Sequence, residues 1–432
     1  LGFTQAGRPG SIAPGYPPGL PLHMAAAALL FGWKHAPFLV APLASLVCLW
    51  LMYLVGRQLQ LPPAFAAAGA AVLGFFPTFA AYSLQAMSDV PATAWALAAV
   101  LAALRSRESA HAAFLAGAAF AVAVLVRPTN ALLLAPLLAA LPSRPGILAR
   151  FALGGLPLSA LLLAYNAAAF GSPWRTGYGT LEGQMAPGNF VPDARHYFWW
   201  LLVLGSPVLI LGFLAVAADR KVPLRDRALL FAWFGSFFLF YCFYEPYEDW
   251  LVTRFLLPGL PAMILAALLG ARDAVAPAPG ATGSAAVRLR WAACLLMLCA
   301  VLGFGAHAIA RFDVLGAYRG EQTYPLACRL AEGGLPKNAV VASMQMTGAL
   351  RYYTGLTFAR WDWMDAGGFP LLRAQVEARG GRWFALVAPF ERDGLQKNLP
   401  GRWTQLGSLR EYALLRLETP VRPSNLPGAG VP

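Results

Sequence analysis

The chain has 432 residues, of which 58% are hydrophobic and only 12% charged, whereas ordinary soluble domains are roughly 45–50% apolar and about 25% charged. This composition excludes a soluble globular protein and predicts a polytopic α-helical membrane protein. The formal net charge is +13, but the basic residues form short clusters between apolar runs. That pattern sets membrane orientation and gives no reason to expect nucleic acid as a partner.

The first residues of the chain are rich in proline and glycine and contain no initiator methionine, charged n-region or cleavage motif. We therefore expect residues 1–36 to be part of the first outer loop of a longer protein. Leu20 to Gly32 is apolar but too short to cross a bilayer, and it contains Pro21 and His23. An interfacial or re-entrant helix on the outer side is predicted there.

Apolar runs fill residues 37–312, which we interpret as the transmembrane helical domain. A span needs about 20 apolar residues. About ten spans are predicted, at 37–56, 62–82, 90–105, 110–126, 129–142, 147–168, 199–217, 228–244, 251–271 and 290–311. The pair Gly154-Gly155 lies inside one of them and predicts close helix packing in preference to a phosphate loop.

The basic residues of the short loops are divided unequally between the two sides of this arrangement. Twelve lie on one side: Arg57, Arg105, Arg107, Arg144, Arg150, Arg220, Lys221, Arg225, Arg227, Arg272, Arg288 and Arg290. Five lie on the other: Lys34, Arg127, Arg175, Arg195 and Arg254. Because cytoplasmic loops carry the excess of Lys and Arg, the first side is predicted to be cytoplasmic.

The chain after residue 312 is polar and has no further apolar run of membrane length. Short strands are predicted at 338–343, 384–388 and 412–417, interleaved with helical patterns. This alternation predicts a small extracytoplasmic α/β domain over residues 313–418. Residues 419–432, rich in Pro and Gly, are predicted to be a disordered tail.

Asp89 is the first acidic residue in the chain, and the next two are Glu108 and Glu182. It lies between two apolar runs, so the pattern predicts a lone carboxylate at the outer membrane surface. An ionisable group in that position is a functional candidate by default. The alternative is a helix cap, because Ser88-Asp89-Val90-Pro91 is a favourable helix start.

Two arginines belong to the same predicted face, Arg127 in VRPTN and Arg254 in RFLLPGLP. Guanidinium groups present a planar fork that matches phosphate oxygens. Together with Asp89 they could position an acceptor against a phosphate-linked donor. The alternative for each arginine is a side chain that extends into the headgroup layer.

The order of the motifs YPPGLP, SDVPA, VRPTN, YNAAAFGSPWRTGY and RFLLPGLP resembles the integral-membrane C-type glycosyltransferases. These include relatives of protein O-mannosyltransferases and lipid A aminoarabinose transferases. The resemblance covers Tyr16 through the α/β tail. It implies the C-type fold and transfer of a hexose or pentose, with inversion, from a polyprenyl-phosphate donor in the membrane. The acceptor, a glycan, lipid or protein, would enter from outside.

The resemblance also assigns roles to residues. A second family acid matches Asp89, which would orient the acceptor, support the catalytic base or help to hold a divalent metal; no other cofactor is implied. Arg254, together with Arg127, would bind the donor phosphate.

An outer loop that begins at Gly171 resembles the loop that covers the active site in the family. Tyr178, Glu182 and His196 of this loop, with Tyr16 of the YPPGLP turn, are expected to contact the acceptor or line its entry.

One departure from the family is that residues 1–15 contain no Asp or Glu. The first-loop acid, which is the catalytic base in the family, is therefore expected upstream of Leu1, and this chain alone is expected to be an inactive fragment. Two other functions stay open, a transporter or flippase of lipid-linked sugars and a non-catalytic scaffold of envelope assembly. Against the transporter, the spans contain no charge near a midplane and no evident inverted repeat.

Overall fold

A computed structural model describes residues 3–8, 11–178, 184–246, 248–275, 285–316 and 322–418. The described chain divides into two compact units, one of residues 5–316 and one of residues 322–418 with residues 3 and 4. The first is helical and the second is an α/β unit. Residues 419–432, predicted to be a disordered tail, lie outside the described part.

Two short strands, β1 (Phe3–Gln5) and β2 (Ile12–Pro14), precede the helices. The helices of the first unit are α1 (Gly19–Phe31), α2 (Ala36–Gln58), α3 (Pro63–Gly74), α4 (Pro77–Ser83), α5 (Asp89–Arg105), α6 (Ala110–Val126), α7 (Leu134–Ala140), α8 (Pro145–Phe170), α9 (Phe190–Gly205), α10 (Pro207–Ala215), α11 (Leu224–Tyr241), α12 (Leu260–Val275) and α13 (Ala285–Arg311). Short 3₁₀ helices occupy Pro128–Leu133, Pro187–Asn189 and Trp250–Leu256.

Among the described residues, α2, α8 and α13 are long and apolar enough to cross a membrane. The number rises to six if each of three bent pairs is one span. The bends are 69° between α3 and α4, 111° between Pro187–Gly205 and α10, and 80° between Trp250–Leu256 and α12. The predicted spans at 62–82, 199–217 and 251–271 are therefore broken helices.

The first two breaks have a common chemical cause. Pro77 and Pro207 each stand at the first position of the second helix in their pair. Proline has no backbone N–H and its ring clashes with the preceding turn, so a helix can begin at proline but does not run through it without distortion. At the second break Ser206 adopts a positive φ of 73°, which turns the chain sharply.

Helix α5 lies at the centre of the helical unit and is buried along most of its length. Its neighbour α6 packs backbone to backbone against α8. Neither Gly117 of α6 nor Gly154 of α8 has room for a Cβ atom, because a carbonyl oxygen of the facing helix, from Phe151 and Phe114 respectively, occupies the space. The close helix packing predicted at Gly154 is confirmed.

Gly154→Leu is expected to destabilise the protein strongly, because the side chain would have to enter the Phe114 backbone of α6. Overpacking of a tight core costs about 1–3 kcal/mol, and more where backbone must move. The thermal midpoint in detergent measures the effect. Gly303→Leu is the matched control, since Gly303 lies in α13 with open space around it. Similar midpoints for the two variants would contradict this packing.

The α/β unit contains one five-stranded sheet with the strand order β4-β3-β5-β7-β6. The strands are β3 (Ala339–Ala342), β4 (Thr357–Ala359), β5 (Arg382–Val387), β6 (Trp403–Leu409) and β7 (Tyr412–Leu417). Strands β4, β3 and β5 are parallel, and β5, β7 and β6 are antiparallel. The helices are α14 (Thr323–Gly334), α15 (Thr347–Tyr353), α16 (Phe369–Ala378) and α17 (Arg392–Asn398).

The three strands predicted from sequence correspond to the buried strands β3, β5 and β7. The two that were not predicted, β4 and β6, are the sheet edges. Strand β4 has only three residues, and β6 carries a register shift between Gln405 and Gly407. Edge strands are commonly short or bulged and lack a continuous apolar face, so their sequence signal is weak.

Candidate active site

Asp89 is the first residue of α5 and is 1% exposed. Its carboxylate accepts a hydrogen bond from Nη1 of Arg127. No side chain caps the start of this helix, so the alternative of Asp89 as a cap is wrong. The positive end of the helix dipole favours a carboxylate at this position. The lone acid of the sequence is thus half of a buried ion pair.

Arg127 is the residue that ends α6, in an extended conformation with φ −147° and ψ 109°. Pro128 follows and starts a 3₁₀ helix. A residue before proline is restricted to extended conformations, so the helix stops here and the guanidinium turns towards α5. The Arg127 side chain is buried, and its Nε donates to Oγ1 of Thr129 at 3.3 Å. It does not extend into a headgroup layer.

Arg254 lies in the 3₁₀ helix Trp250–Leu256, which two hydrogen bonds anchor. The side chain of Asp249 accepts from the Leu251 backbone N–H at 3.2 Å, and the hydroxyls of Thr253 and Thr78 are 2.5 Å apart. The second bond ties this helix to α4. Both bonds precede Arg254 and hold the backbone that leads into it.

The half-buried Arg254 guanidinium rests on aromatic rings. Its Cζ is 5.5 Å from the Tyr82 ring centre and 5.2 Å from that of Phe255, and Nη1 donates to Sδ of Met87 at 3.5 Å. Within the described ranges no carboxylate forms an ion pair with Arg254, although Asp249 is near in sequence. Arg254 therefore keeps its positive charge available.

Phe255 links the two arginines. The Cζ atom of Arg127 is 5.4 Å from the centre of the ring that Arg254 also contacts. The structure thus brings Asp89, Arg127 and Arg254 together, as the sequence predicted. Sequence reasoning missed Phe255 itself; the available signal was an aromatic residue directly after an arginine.

Tyr16 and Tyr178 also meet, with ring centres 6.1 Å apart and planes at 81°. Reduced contact of its hydroxyl with water raises the pKa of Tyr178 to about 12, and the positive charge of Arg127 opposes this rise. Tyr178 is therefore a neutral phenol at physiological pH and can donate a hydrogen bond. The two predicted contact residues lie in one wall near the ion pair.

Of the other two predicted contact residues, His196 is not brought to this wall. His196 lies on α9 with Nε2 at 3.4 Å from the Asp249 carbonyl oxygen, and its ring meets the edge of Trp200. Within the described residues it makes no contact with Asp89, Arg127 or Arg254. Glu182 lies outside the described residues.

A small open apolar cleft of about 50 Å³ lies beside the ion pair. It is lined by the turn at Tyr16, the C-terminal end of α8 with Tyr165 and Phe170, and Pro128. Because Pro128 directly follows Arg127, an apolar group in this cleft would lie close to the charged side chains.

A metal ion at Asp89 does not fit the surrounding residues. The Asp89 carboxylate is neutralised by Arg127. In the part of the chain that the structure describes, no group of three or more His, Cys, Asp and Glu side chains could hold a metal ion. We therefore derive no step that involves a metal at this position.

Residues 16–168 match the family model of the dolichyl-phosphate-mannose-protein mannosyltransferases. ArnT from Cupriavidus metallidurans in the apo state is similar in structure, with a TM-score of 0.57 at 15% identity over 92% of this chain and 87% of ArnT. The fold is therefore that of C-type glycosyltransferases. The resemblance to this family is confirmed.

Two further solved structures share this C-type fold. ArnT from Cupriavidus metallidurans bound to undecaprenyl phosphate has a TM-score of 0.57 at 13% identity, covering 92% of this chain and 87% of ArnT. The arabinofuranosyltransferase AftD from Mycobacteria has a TM-score of 0.53 at 13% identity, covering 92% of this chain and 35% of AftD. No curated protein matches the chain.

The family model covers only part of the candidate site. Tyr16, Asp89 and Arg127 lie inside the residues of the family model, whereas Tyr178 and Arg254 lie beyond them. The likeness to ArnT and AftD is one of fold alone at this level of identity. Helices long and apolar enough to cross a membrane accompany this fold in the described chain.

Proposed function

We propose that the protein, as its gene encodes it, transfers a hexose or pentose from a polyprenyl-phosphate donor to a glycan, lipid or protein acceptor at the outer face of a bacterial inner membrane. The observation that carries this proposal is the position of Arg254, a cation without an acidic partner in the described chain, beside the Asp89–Arg127 pair. Undecaprenyl phosphate bound to ArnT, a relative with the same fold, supports the choice of donor.

The chemistry of the donor explains why the site would need positively charged side chains. In the transfer, the bond between the anomeric carbon and the phosphate oxygen breaks while the oxygen of the acceptor hydroxyl forms a new bond to that carbon, with inversion. The proton of that hydroxyl passes to the catalytic base that the family resemblance implies. The leaving phosphate gains negative charge, so it needs electrostatic stabilisation. Arg254 supplies a fork of N–H donors for this purpose. Arg127 supplies a second guanidinium, which contacts the same Phe255 ring.

Asp89 takes a different role from those the resemblance implied. Its carboxylate is buried and its Oδ1 already accepts from Arg127, so part of its hydrogen-bonding capacity is used before any acceptor arrives. We assign it the role of a positioning residue that holds the Arg127 guanidinium at the end of α6. Arg127 in turn cannot give its full charge to the donor, so Arg254 is the principal phosphate ligand.

Hydrogen bonds between predicted cytoplasmic residues support the proposed orientation. Arg107, after α5, forms an ion pair with Asp226 of α11 at 2.7 Å. Arg225 donates from Nε to the carbonyl oxygen of Ala139 in α7 at 2.9 Å. The ends of three helices that the charge pattern assigns to one side therefore meet. The same pattern assigns the α/β unit to the extracytoplasmic side.

The test uses the protein as its gene encodes it, reconstituted in vesicles with radiolabelled polyprenyl-phosphate hexoses and pentoses and a panel of acceptors. We expect label to move from the lipid to an acceptor, and undecaprenyl phosphate to bind the purified protein. Absence of both transfer and binding would contradict the proposal. Movement of the intact lipid-linked sugar across the vesicle, without transfer, would favour the transporter.

A further inference from the structure

Phe255 is the shared support of both guanidinium groups in the site. Its ring centre is 5.4 Å from Cζ of Arg127 and 5.2 Å from Cζ of Arg254. Both distances fall within the roughly 6 Å range of a cation–π interaction, in which the negative face of an aromatic ring attracts a cation. One ring therefore holds two cations that would otherwise repel each other.

The ring is itself held in place by neighbouring aromatic groups. Tyr241 stacks on Phe255 with ring centres 4.7 Å apart and an angle of only 8° between the planes, and Tyr244 meets it edge-on at 5.7 Å. Such contacts favour one ring orientation beyond the area that they bury. Phe255 thus has little freedom to rotate away from either arginine.

A hydrogen-bond chain connects this aromatic stack back to Arg127. The Tyr241 hydroxyl donates to Oγ1 of Thr129 at 3.0 Å, and Nε of Arg127 donates to the same oxygen at 3.3 Å. Tyr241 therefore holds the Phe255 ring by stacking and also fixes Thr129, which holds the Arg127 guanidinium. This leaves the Arg127 side chain fixed relative to the ring.

We infer that Phe255 is a positioning residue that sets the separation of Arg127 and Arg254, so that a single phosphate group can meet both. This inference rests on the proposed function. Phe255 makes no chemical bond in the reaction. It acts through the negative face of its ring, and an apolar side chain of similar size does not replace it.

The decisive experiment reduces the negative potential of the Phe255 ring face in steps while the shape of the ring stays nearly the same. Mono-, di- and trifluorophenylalanine at position 255 withdraw electron density from the ring face in steps, while its size changes little. We expect the affinity of the purified protein for undecaprenyl phosphate to fall with each fluorine, to roughly 5- to 30-fold below the unmodified protein, if each cation contact contributes within its usual range. The thermal midpoint should stay nearly constant.

The same fluorine series at Phe213 is the matched control, because this residue lies in an aromatic cluster with Phe231 and Phe234, at ring distances of 4.6 and 5.2 Å. We expect the affinity for undecaprenyl phosphate to stay the same along the Phe213 series. Among natural residues, Phe255→Tyr should keep the affinity and Phe255→Leu should lose it.

Two contrary results separate this inference from the proposed function. If the unmodified protein binds undecaprenyl phosphate but affinity does not change along the Phe255 series, or if leucine serves as well as tyrosine, Phe255 is only a packing residue. If no form of the protein binds undecaprenyl phosphate, the donor proposal is wrong, and the inferred role of Phe255 is wrong as well.

Discussion

Replacing Arg254 by alanine is expected to weaken binding of undecaprenyl phosphate by about 10- to 100-fold, the loss typical of hydrogen bonds to a charged group. The fold should survive, because the guanidinium is half-buried and its described contacts are two rings and a sulfur atom. Lipid affinity and thermal midpoint are measured on the same preparation. A lower lipid affinity at an unchanged thermal midpoint would show that a phosphate-binding group was removed and that the fold was preserved.

Two variants serve as controls for Arg254. Arg254→Lys keeps the charge but loses the planar fork, so an intermediate affinity is expected. Arg150→Ala removes an exposed arginine of α8, on the side predicted to be cytoplasmic, and should leave the affinity unchanged. If Arg254→Ala binds the lipid as well as the unmodified protein does, another group must hold the phosphate.

Asp89→Asn is expected to lower stability as well as donor binding, because it leaves the Arg127 guanidinium buried without its counter-charge. Breaking a buried ion pair by removing one partner costs about 3–5 kcal/mol. Both Asp89 and Arg127 are buried, with side chains 2% and 10% exposed. The thermal midpoint in detergent and the yield of folded protein measure this effect.

A double variant distinguishes the charge effect from a general loss of packing. Asp89→Asn combined with Arg127→Gln leaves no uncompensated charge, so it should be more stable than Asp89→Asn alone and yet bind the donor weakly. As a comparison, Asp226→Asn breaks the Arg107–Asp226 pair, in which the arginine is 29% exposed. The loss of stability there should be smaller than at Asp89, because water still reaches the Arg107 guanidinium. Equal losses of stability in Asp89→Asn and Asp226→Asn would contradict the stronger stabilisation expected from the buried Asp89–Arg127 pair.

The convergence of Asp89, Arg127 and Arg254 could be predicted because each lies where an apolar run begins or ends, on the side with few basic residues. Hydropathy and charge bias report that position directly. Hydropathy does not report how far each helix is rotated about its axis. The pairing of Asp89 with Arg127, 38 residues apart, depends on that rotation and appears only in the structure.

The breaks within apolar runs show a second limit of the sequence reading. An apolar run of span length looks the same whether it forms one straight helix or two helices at 111°. The signal at Gly205-Ser206-Pro207 is local, and it depends on the positive φ of Ser206, which the residue type does not require. Edge strand β6 was not predicted from the sequence because its polar and apolar residues do not alternate regularly.

The charge balance around Phe255 has a consequence for turnover. One carboxylate and two guanidinium groups leave a single net positive charge at the ring. The sugar donor is a phosphodiester with one negative charge, whereas the released polyprenyl phosphate is a monoester that carries about −1.5 to −2 at neutral pH. The same site therefore attracts the product more strongly than the substrate, and turnover under the proposed reaction would depend on removal of the spent lipid carrier from the membrane around the enzyme.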